Sequence, residues 1–298
     1  MTKNNFRSGI ISIAGNPNVG KSTLLNRLLG QKIAIVSPRP QTTRGVIRGI
    51  YTDDKMQILF VDNPGFLSPR DKLDEFMFKQ AHASVNSADL VYLVVEPRMP
   101  DQAFQEKVLA PVIEAQKPVF LLINKVDTIA KIELLPIIDA FNKLYTFKQI
   151  IPLSALQGDN VADLLKATVD YLPEGPPLFP DDMVSDQYER FFVSELIREK
   201  IFLLTHQEIP YSVAVRIDEF AQREEGKWFI RATIVLDKES HKGIVIGKGG
   251  FLIKKIGSAA RLDIEDMLGV ECYLELFVKV IKDWKKKDIY LRELGYKE

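Results

Sequence analysis

A glycine-rich segment with a single lysine is the part of the sequence that most directly predicts chemistry. Residues 15–23 read GNPNVGKST and match G-x-x-x-x-G-K-[ST]. The glycines allow a tight turn whose N–H groups face a phosphate, Lys21 adds positive charge there, and Ser22 offers a hydroxyl to Mg²⁺. The alternative is an ordinary strand–helix turn with an exposed lysine. The candidate phosphate-binding residues are Gly15, Asn16, Pro17, Asn18, Val19, Gly20, Lys21, Ser22 and Thr23.

A carboxylate at the end of a second apolar run could serve the same phosphate site. Asp62 is followed by Asn63, Pro64 and Gly65. The Asp62 carboxylate can hold Mg²⁺, directly or through water, and the Gly65 N–H can reach a γ-phosphate. Alone, Asp-Asn-Pro-Gly is also an ordinary turn. The next residue is Phe66, whose ring neither donates nor accepts a hydrogen bond and so cannot orient an attacking water.

A third loop, NKVD at 124–127, can select a purine base. The Asp127 carboxylate can accept two hydrogen bonds, from N1–H and from the 2-amino group of guanine. Adenine lacks both donors and would leave a buried carboxylate unpaired. Asn124 can contact the N7 side of the ring, and the aliphatic stem of Lys125 can cover its face. The alternative is a solvated charged loop.

The tripeptide SAL at 154–156 is predicted to complete the base pocket. The Ala155 N–H would favour a carbonyl at position 6 of the purine, which guanine has and adenine lacks. Ser154 and Leu156 flank it. Four such loops in this order make a guanine-nucleotide site the preferred interpretation.

A different kind of loop, GKGG at 247–250, lies between two predicted helices. Its glycines allow close backbone approach, and the following helix N-terminus favours phosphates, so the loop can clamp about four nucleotides. The alternative is a pair of glycines that ends a helix. The candidate RNA-binding residues are Gly247, Lys248, Gly249 and Gly250, the apolar Ile244, Val245, Ile246 and Ile253, and the basic Lys242, Lys254 and Lys255.

The elements that must position the first three loops are short apolar runs. They are nearly continuous in Ile, Leu and Val, as expected of parallel strands covered on both faces, and helical patterns separate them. This alternation predicts a doubly wound α/β domain. The runs occupy residues 9–15, 56–62, 90–96, 118–125 and 149–155.

Proline, glycine and acidic residues at 172–182 interrupt every periodicity and mark a domain boundary. We expect a first domain at 1–172, a linker at 173–186 and a second domain at 187–298. The second domain shows the order helix, strand, strand, helix, helix, strand, with a basic helix at its end. This order predicts a compact α+β module.

Composition limits the class of partner and the compartment. Among 298 residues, Lys plus Arg and Asp plus Glu number 40 each, so nucleic-acid binding must rest on a local site. The one cysteine, Cys272, shares the parity of a strand and is expected in the core. No signal-peptide pattern or membrane-spanning run is present. We expect a soluble, cytoplasmic monomer, with weak peripheral membrane contact through the Trp284–Lys287 run as an alternative to a solvated helix end.

Taken together, these motifs resemble a known family. With QTTR at 41–44, the four loops look like the nucleotide motifs of translation-factor-related GTPases, and residues 243–257 look like a type II KH domain. Over nearly the whole chain they resemble the Era family of bacterial GTPases. The resemblance implies a P-loop GTPase domain followed by a smaller type II KH domain. It also implies GTP hydrolysis with Mg²⁺, and binding of the 3′ end of 16S ribosomal RNA during assembly of the 30S subunit.

The resemblance also implies roles for mobile loops. Thr43 would be a Mg²⁺ ligand, with Thr42 as the alternative. Asn18 would help to hold K⁺ between the β- and γ-phosphates, or else only stabilise its loop. Phe66 would swing away while backbone groups hold the water, or the nucleotide would be only structural. Two positions depart from the family pattern: Gly45 stands where His is expected, and Asn16 stands where Arg is more usual. The implied switch residues are Gln41, Thr42, Thr43, Arg44 and Phe66, and the implied catalytic residues are Asn18, Lys21, Thr43 and Gly65.

Two other functions stay open on the sequence alone. One is an RNA-binding scaffold whose nucleotide is structural, for which Phe66 is the motivating feature. The other is a membrane-associated signalling switch, for which the basic C-terminus is the motivating feature.

Overall fold

The structure is a computed structural model, and it describes residues 6–36, 43–66, 69–206, 208–223 and 226–296. The chain divides into two compact units. The first is formed mainly by residues up to Asp186, and the second mainly by residues from Gln187 onwards.

The first unit is a six-stranded sheet with helices, in the strand order β2-β3-β1-β4-β5-β6. Strand β2 pairs antiparallel with β3, and all other neighbours are parallel. The strands are β1 (Arg7–Ala14), β2 (Ile47–Thr52), β3 (Met56–Asp62), β4 (Leu90–Val95), β5 (Val119–Ile123) and β6 (Gln149–Pro152). The helices are α1 (Lys21–Leu29), α2 (Lys72–Ser87), α3 (Gln102–Phe104), α4 (Ala110–Glu114), α5 (Lys131–Asn142) and α6 (Val161–Thr168).

Burial explains why the predicted strands form. Every residue of β3, β4 and β5 is buried, because helices cover both faces of the sheet. The loops that follow β1, β3, β5 and β6 leave the same edge, where ligands of parallel α/β sheets bind. The predicted doubly wound, mostly parallel fold is confirmed. Strand β2 was missed, because Arg48 and Gly49 interrupt its apolar pattern.

The segment expected to be a linker packs on the first unit. Glu174 forms a β-bridge with Arg7, and the N–H groups of Leu178 and Phe179 donate to the Gln57 side chain at 2.6 and 2.8 Å. The Ile50 N–H donates to the Val184 carbonyl at 2.7 Å. Residues 173–186 therefore lie against the sheet of the first unit. The expected domain bounds, including the linker at 173–186, stay a prediction.

The second unit is a three-stranded sheet with helices on one face, in the strand order β7-β8-β9. Strands β7 and β8 are antiparallel, and β8 and β9 are parallel. This is the predicted α-β-β-α-α-β order. Its elements are α7 (Glu189–Leu204), α8 (Ile209–Ser212), β7 (Val213–Gln222), β8 (Trp228–Leu236), α9 (Glu239–Ile246), α10 (Phe251–Leu268), β9 (Cys272–Val280) and α11 (Asp288–Glu293).

Two expectations for the second unit are corrected by its core. Val245 is fully buried in the cluster beneath α9, so it is not part of a groove floor. Trp284 is also fully buried; its Nε1–H donates to the Ser212 carbonyl at 3.1 Å, and its ring stacks on Tyr296. The tryptophan is therefore a core residue and not part of a solvated helix end. Cys272 is buried, as expected.

Candidate functional site

The phosphate-binding loop needs glycine at two positions, because each has a positive φ and a neighbouring atom where a Cβ would lie. Gly15 has a φ of 143°, and a Cβ there would lie 2.2 Å from the Val94 carbonyl oxygen. Gly20 has a φ of 97°, and a Cβ there would lie 2.2 Å from Asn124 Nδ2. Asn18 itself has a φ of 66°, in the left-handed region. The loop therefore folds tightly between two strand ends, with no room for side chains at either glycine.

Lys21 lies at the centre of this loop. Its Nζ donates to the carbonyl oxygens of Gly15, at 3.2 Å, and Asn16, at 2.8 Å. Burial lowers the pKa of Lys21 to about 8, and the nearby Asp62 carboxylate partly opposes this shift. The ammonium group is thus held against the backbone of the phosphate-binding loop by two of its carbonyl oxygens.

Three oxygen-bearing side chains from separate elements meet beside Lys21. Ser22 Oγ donates to Asp62 Oδ2 at 2.6 Å, and Thr43 Oγ1 lies 3.0 Å from Ser22 Oγ and 3.5 Å from Asp62 Oδ2. Asp62 Oδ1 is buried and has no hydrogen-bond partner among the described residues. An oxygen set with one unsatisfied carboxylate atom fits Mg²⁺.

The buried Asp62 makes a testable contribution to stability. Burial raises its pKa from 3.8 to about 6, against the opposing effects of Lys21, Ser22 and Thr43. Between these values the folded protein retains a proton that the unfolded chain releases, so stability falls as the pH rises through this window. Without nucleotide or Mg²⁺, Asp62→Asn should therefore raise the free energy of unfolding at pH 7 by about 3 kcal/mol. Urea unfolding from pH 4 to 8 measures this.

The exposed Asp163→Asn is the matched control for that experiment and should leave the pH profile of stability unchanged. An Asp62→Asn protein that is less stable than the native chain at pH 7 would contradict the assignment of Asp62 as a destabilising buried charge.

The loop after β3 touches the phosphate-binding loop directly. A Cβ on Gly65 would lie 2.6 Å from the Pro17 backbone nitrogen. The Phe66 ring is 2% exposed and packs edge-on against His82 at 5.4 Å. Phe66 thus points into the core between the sheet and α2, while Gly65 brings its backbone to the phosphate loop. The Phe66 side chain is therefore unavailable to position water.

The base-reading loop places its carboxylate in the open. Asp127 is exposed on a 3₁₀ turn, and no ion-pair partner for it occurs in the described part of the chain. Lys125, with a φ of 64°, donates from Nζ to the Asn18 carbonyl and to Glu96 Oε1, both at 2.6 Å. The Lys125 stem therefore spans from the base loop to the phosphate loop. Glu96 is a functional neighbour that the sequence reasoning missed.

The Asn124 side chain connects two loops. Its Nδ2 donates to the Val19 carbonyl at 2.8 Å, and its Oδ1 accepts the Ala155 N–H at 2.9 Å. The side chain thus ties the phosphate loop to the SAL loop. The contacts of Asn124 with N7 and of the Ala155 N–H with the 6-carbonyl stay predictions.

The SAL loop is held by helix α1. Arg27 Nε donates to the Ala155 carbonyl at 3.1 Å, and the same guanidinium binds the Leu156 carbonyl. The Ser154 hydroxyl accepts the Gln157 N–H at 3.1 Å. A cavity of about 340 Å³ lies between α1 and this loop. It is lined by Thr23, Asn26, Arg27, Gly30, Gln31, Ala155 and Leu156. Arg27 was missed, since nothing in the sequence links it to residue 155.

Other predicted residues take structural positions or lie outside the description. The Asn63 side chain is buried and donates from Nδ2 to Ser12 Oγ at 2.8 Å, so its contact with the nucleotide stays a prediction. Arg44, the residue after Thr43, is buried. Gln41 and Thr42 lie outside the described residues.

The second site lies on the α9–α10 turn. Gly247 has a φ of 72°, and a Cβ there would lie 2.9 Å from the Leu252 backbone nitrogen. Gly249 and Gly250 have φ values of 60° and 78°, with open space around them. Lys248 is exposed at the tip. The loop is therefore a backbone-lined protrusion that opens on solvent. Around it, Ile244, Lys254 and Lys255 are exposed and Ile246 is partly exposed.

Comparison with known proteins agrees with both sites. Residues 10–125 match the family model described as 50S ribosome-binding GTPase, and residues 208–285 match that of the KH domain. The chain is 47% identical to GTPase Era of Ruminiclostridium cellulolyticum over 292 residues, covering 98% of each chain. It is 46% identical to GTPase Era of Geotalea daltonii, covering 99% of this chain and 100% of that one. The chain belongs to the Era family of GTPases.

Solved structures of the Era family share this fold. An Era variant from Aquifex aeolicus bound to GDP·AlF₄⁻ superposes with a TM-score of 0.93 and 39% identity, covering 98% of this chain and all of that one. An Era complex with MgGDPNP and nucleotides 1506–1542 of 16S ribosomal RNA matches with the same values. The predicted P-loop GTPase domain followed by a type II KH domain is confirmed.

Proposed function

We propose that this chain hydrolyses GTP to GDP and phosphate and couples that cycle to binding single-stranded RNA at the 3′ end of 16S ribosomal RNA, during assembly of the 30S subunit. The observation that carries the proposal is the meeting of Lys21, Ser22, Thr43 and Asp62 beside a loop that presents the Asp127 carboxylate. The relatives that carry the name GTPase, and the Era complex with 16S ribosomal RNA, support it.

The proposed chemistry uses few side chains. Ser22, Asp62 and Thr43 would hold Mg²⁺, which supplies charge to the β- and γ-phosphate oxygens. Lys21 would bind the same oxygens, and the Gly65 N–H would approach the γ-phosphate. Since Phe66 faces the core, attacking water would be oriented by main-chain groups near Thr43 and Gly65. Phe66, the residue that suggested a purely structural nucleotide, is thus explained by its packing in the core.

The proposed site also takes K⁺ at Asn18. This side chain is exposed at the tip of the phosphate loop, and its own carbonyl is fixed by Lys125. A cation there would stabilise the charge that develops between the β- and γ-phosphates, as an arginine finger does. Turnover should therefore be about tenfold faster in KCl than in NaCl at equal ionic strength, and Asn18→Ala should remove the difference. Steady-state phosphate release measures both.

The matched control is Asn142→Ala, an exposed asparagine at the end of α5, which should keep the dependence on K⁺. Equal native rates in both salts would rule out the cation role of Asn18.

Phosphate release under multiple turnover tests the main proposal. GTP should be consumed with Mg²⁺, ATP should not, and a 3′-terminal 16S RNA oligonucleotide should bind in a gel-shift or anisotropy titration. A protein that retains one guanine nucleotide without turnover would instead be a scaffold. For the membrane alternative, the described residues include no helix long and apolar enough to cross a bilayer. Co-sedimentation with anionic vesicles tests peripheral contact.

A further inference from the structure

The sheet face that α7 and α10 leave uncovered, called the open face below, exposes aromatic rings along its edge strand β9, whereas Phe229, Thr233 and Val235 of β8 on this face are buried. Helices α7 and α10 pack on the opposite face, where alternate residues of β7, β8 and β9 form the core. On the open face, Tyr273 is 60% exposed and Phe277 is 53% exposed. They are four residues apart on the edge strand β9, about 13 Å along it, so their rings can receive separate groups.

The inner part of this open face is already a stack of flat groups. The Arg223 guanidinium lies 3.7 Å from the centroid of the Phe229 ring. The Phe229 and Tyr273 rings are 5.8 Å apart and nearly parallel, at 10°. Phe229 is buried between these neighbours, whereas Tyr273 ends the series with its ring exposed. Another flat group placed on Tyr273 would extend the stack.

The charges of the open face leave it weakly basic. Arg231 binds Glu275 at 3.0 Å and Glu219 at 2.9 Å, so this cluster of one cation and two carboxylates keeps a single negative charge, which Arg223 and Lys279 outweigh. For Arg223 and Lys279, no ion-pair partner occurs among the residues that the structure describes. Cations next to exposed aromatic rings are the combination that binds single-stranded nucleic acid.

The clamp helix and the exposed rings lie on opposite faces of the same edge strand, β9. A Cβ on Gly257, in the helix that follows the GKGG loop, would lie 3.4 Å from Leu276 Cδ1 on the core face. Phe277, the next residue, points to the other face. RNA that leaves the clamp would therefore reach the rings by passing around the edge of β9. The Era complex contains nucleotides 1506–1542, a span far longer than the about four nucleotides that a G-x-x-G loop holds.

We propose that Tyr273 and Phe277 form a second RNA contact, on which unpaired bases flanking the clamped segment stack. This inference rests on the proposed RNA binding. The two rings would add affinity only for RNA that is long enough to reach them, and they would take no part in clamping.

The test compares a long and a short RNA. The probes are nucleotides 1506–1542 of 16S RNA and a 3′-terminal oligonucleotide of about ten nucleotides. The variant Tyr273→Leu/Phe277→Leu keeps the apolar character of the face and removes the rings. Its affinity for the long RNA should fall by roughly 10- to 100-fold, since base stacking on one aromatic ring is worth about a tenfold change or more. Its affinity for the short RNA should change less than about twofold.

Two further variants keep the test decisive. Tyr273→Phe retains both rings and should bind the long RNA as the native protein does, which separates stacking from folding effects. Tyr188→Leu removes another highly exposed ring of the same unit and should change neither affinity. Unchanged binding of the long RNA by the double leucine variant overturns the inference, as does an equal loss for both RNAs. A native protein that binds neither RNA would instead refute the proposed function.

Discussion

Asp127→Asn is expected to convert the nucleotide site from guanine to xanthine. In the proposed site the carboxylate would accept hydrogen bonds from the guanine N1–H and 2-amino groups, whereas an amide would present an N–H to that amino group. The affinity for GDP should fall roughly 10⁴-fold, the scale seen when a hydrogen-bonding site loses its partner. Xanthine has a carbonyl at position 2, which the new amide N–H can meet, so xanthosine diphosphate should bind more tightly than GDP. Titration with fluorescent nucleotides measures both constants.

Asp139→Asn is the matched control, since Asp139 is an exposed acidic residue on α5 in the same unit. It should bind GDP like the native chain. An Asp127→Asn protein that still prefers GDP to xanthosine diphosphate would show that the base is read elsewhere.

Gly249→Asp is expected to weaken RNA binding roughly 100-fold. The loop tip approaches the phosphates of clamped RNA, and like charges placed together in an interface cost several kcal/mol. Gly249 has a φ of 60° and open space around its Cα. Aspartate is one of the few residues that tolerate this conformation, so the domain should stay folded. Anisotropy titrations with the short 3′-terminal RNA give the change in affinity.

Gly295→Asp provides the control, because Gly295 has the same backbone conformation, with a φ of 78°, and similar open space. It adds the same charge to the same unit outside the loop, and RNA affinity should change less than twofold. Equal losses in the two variants would point to net charge rather than to the clamp.

The parts of the fold that follow from local pattern were predictable. Strands such as β4 and β5 are uninterrupted apolar runs, and their burial on both faces follows from that composition. The G-x-x-x-x-G-K-S loop could be placed because its residue types and its position between a strand and a helix coincide. Strand β2 could not, since it is an edge strand whose pairing with β3 depends on contacts distant in sequence.

The site was predictable as a set of loops but not as a set of contacts. The sequence did not indicate that the Asn124 amide also binds Val19 and Ala155, from loops more than thirty residues away on either side. Arg27 and Glu96 belong to no motif, and only the folded chain brings them to the SAL and base loops. Val245 and Trp284 were expected at the surface but are buried, because the neighbouring residues in the sequence do not show whether a side chain faces the core or the solvent.

The burial of Phe66 limits how this protein could evolve. Converting position 66 to glutamine, as in enzymes that orient water with a side chain, would remove a ring that packs against His82 and bury an amide in its place. The lost packing alone would cost about 3–5 kcal/mol, a large share of a typical domain's stability. A faster reaction would therefore have to come from another change, such as an external activator that brings its own side chain to the site.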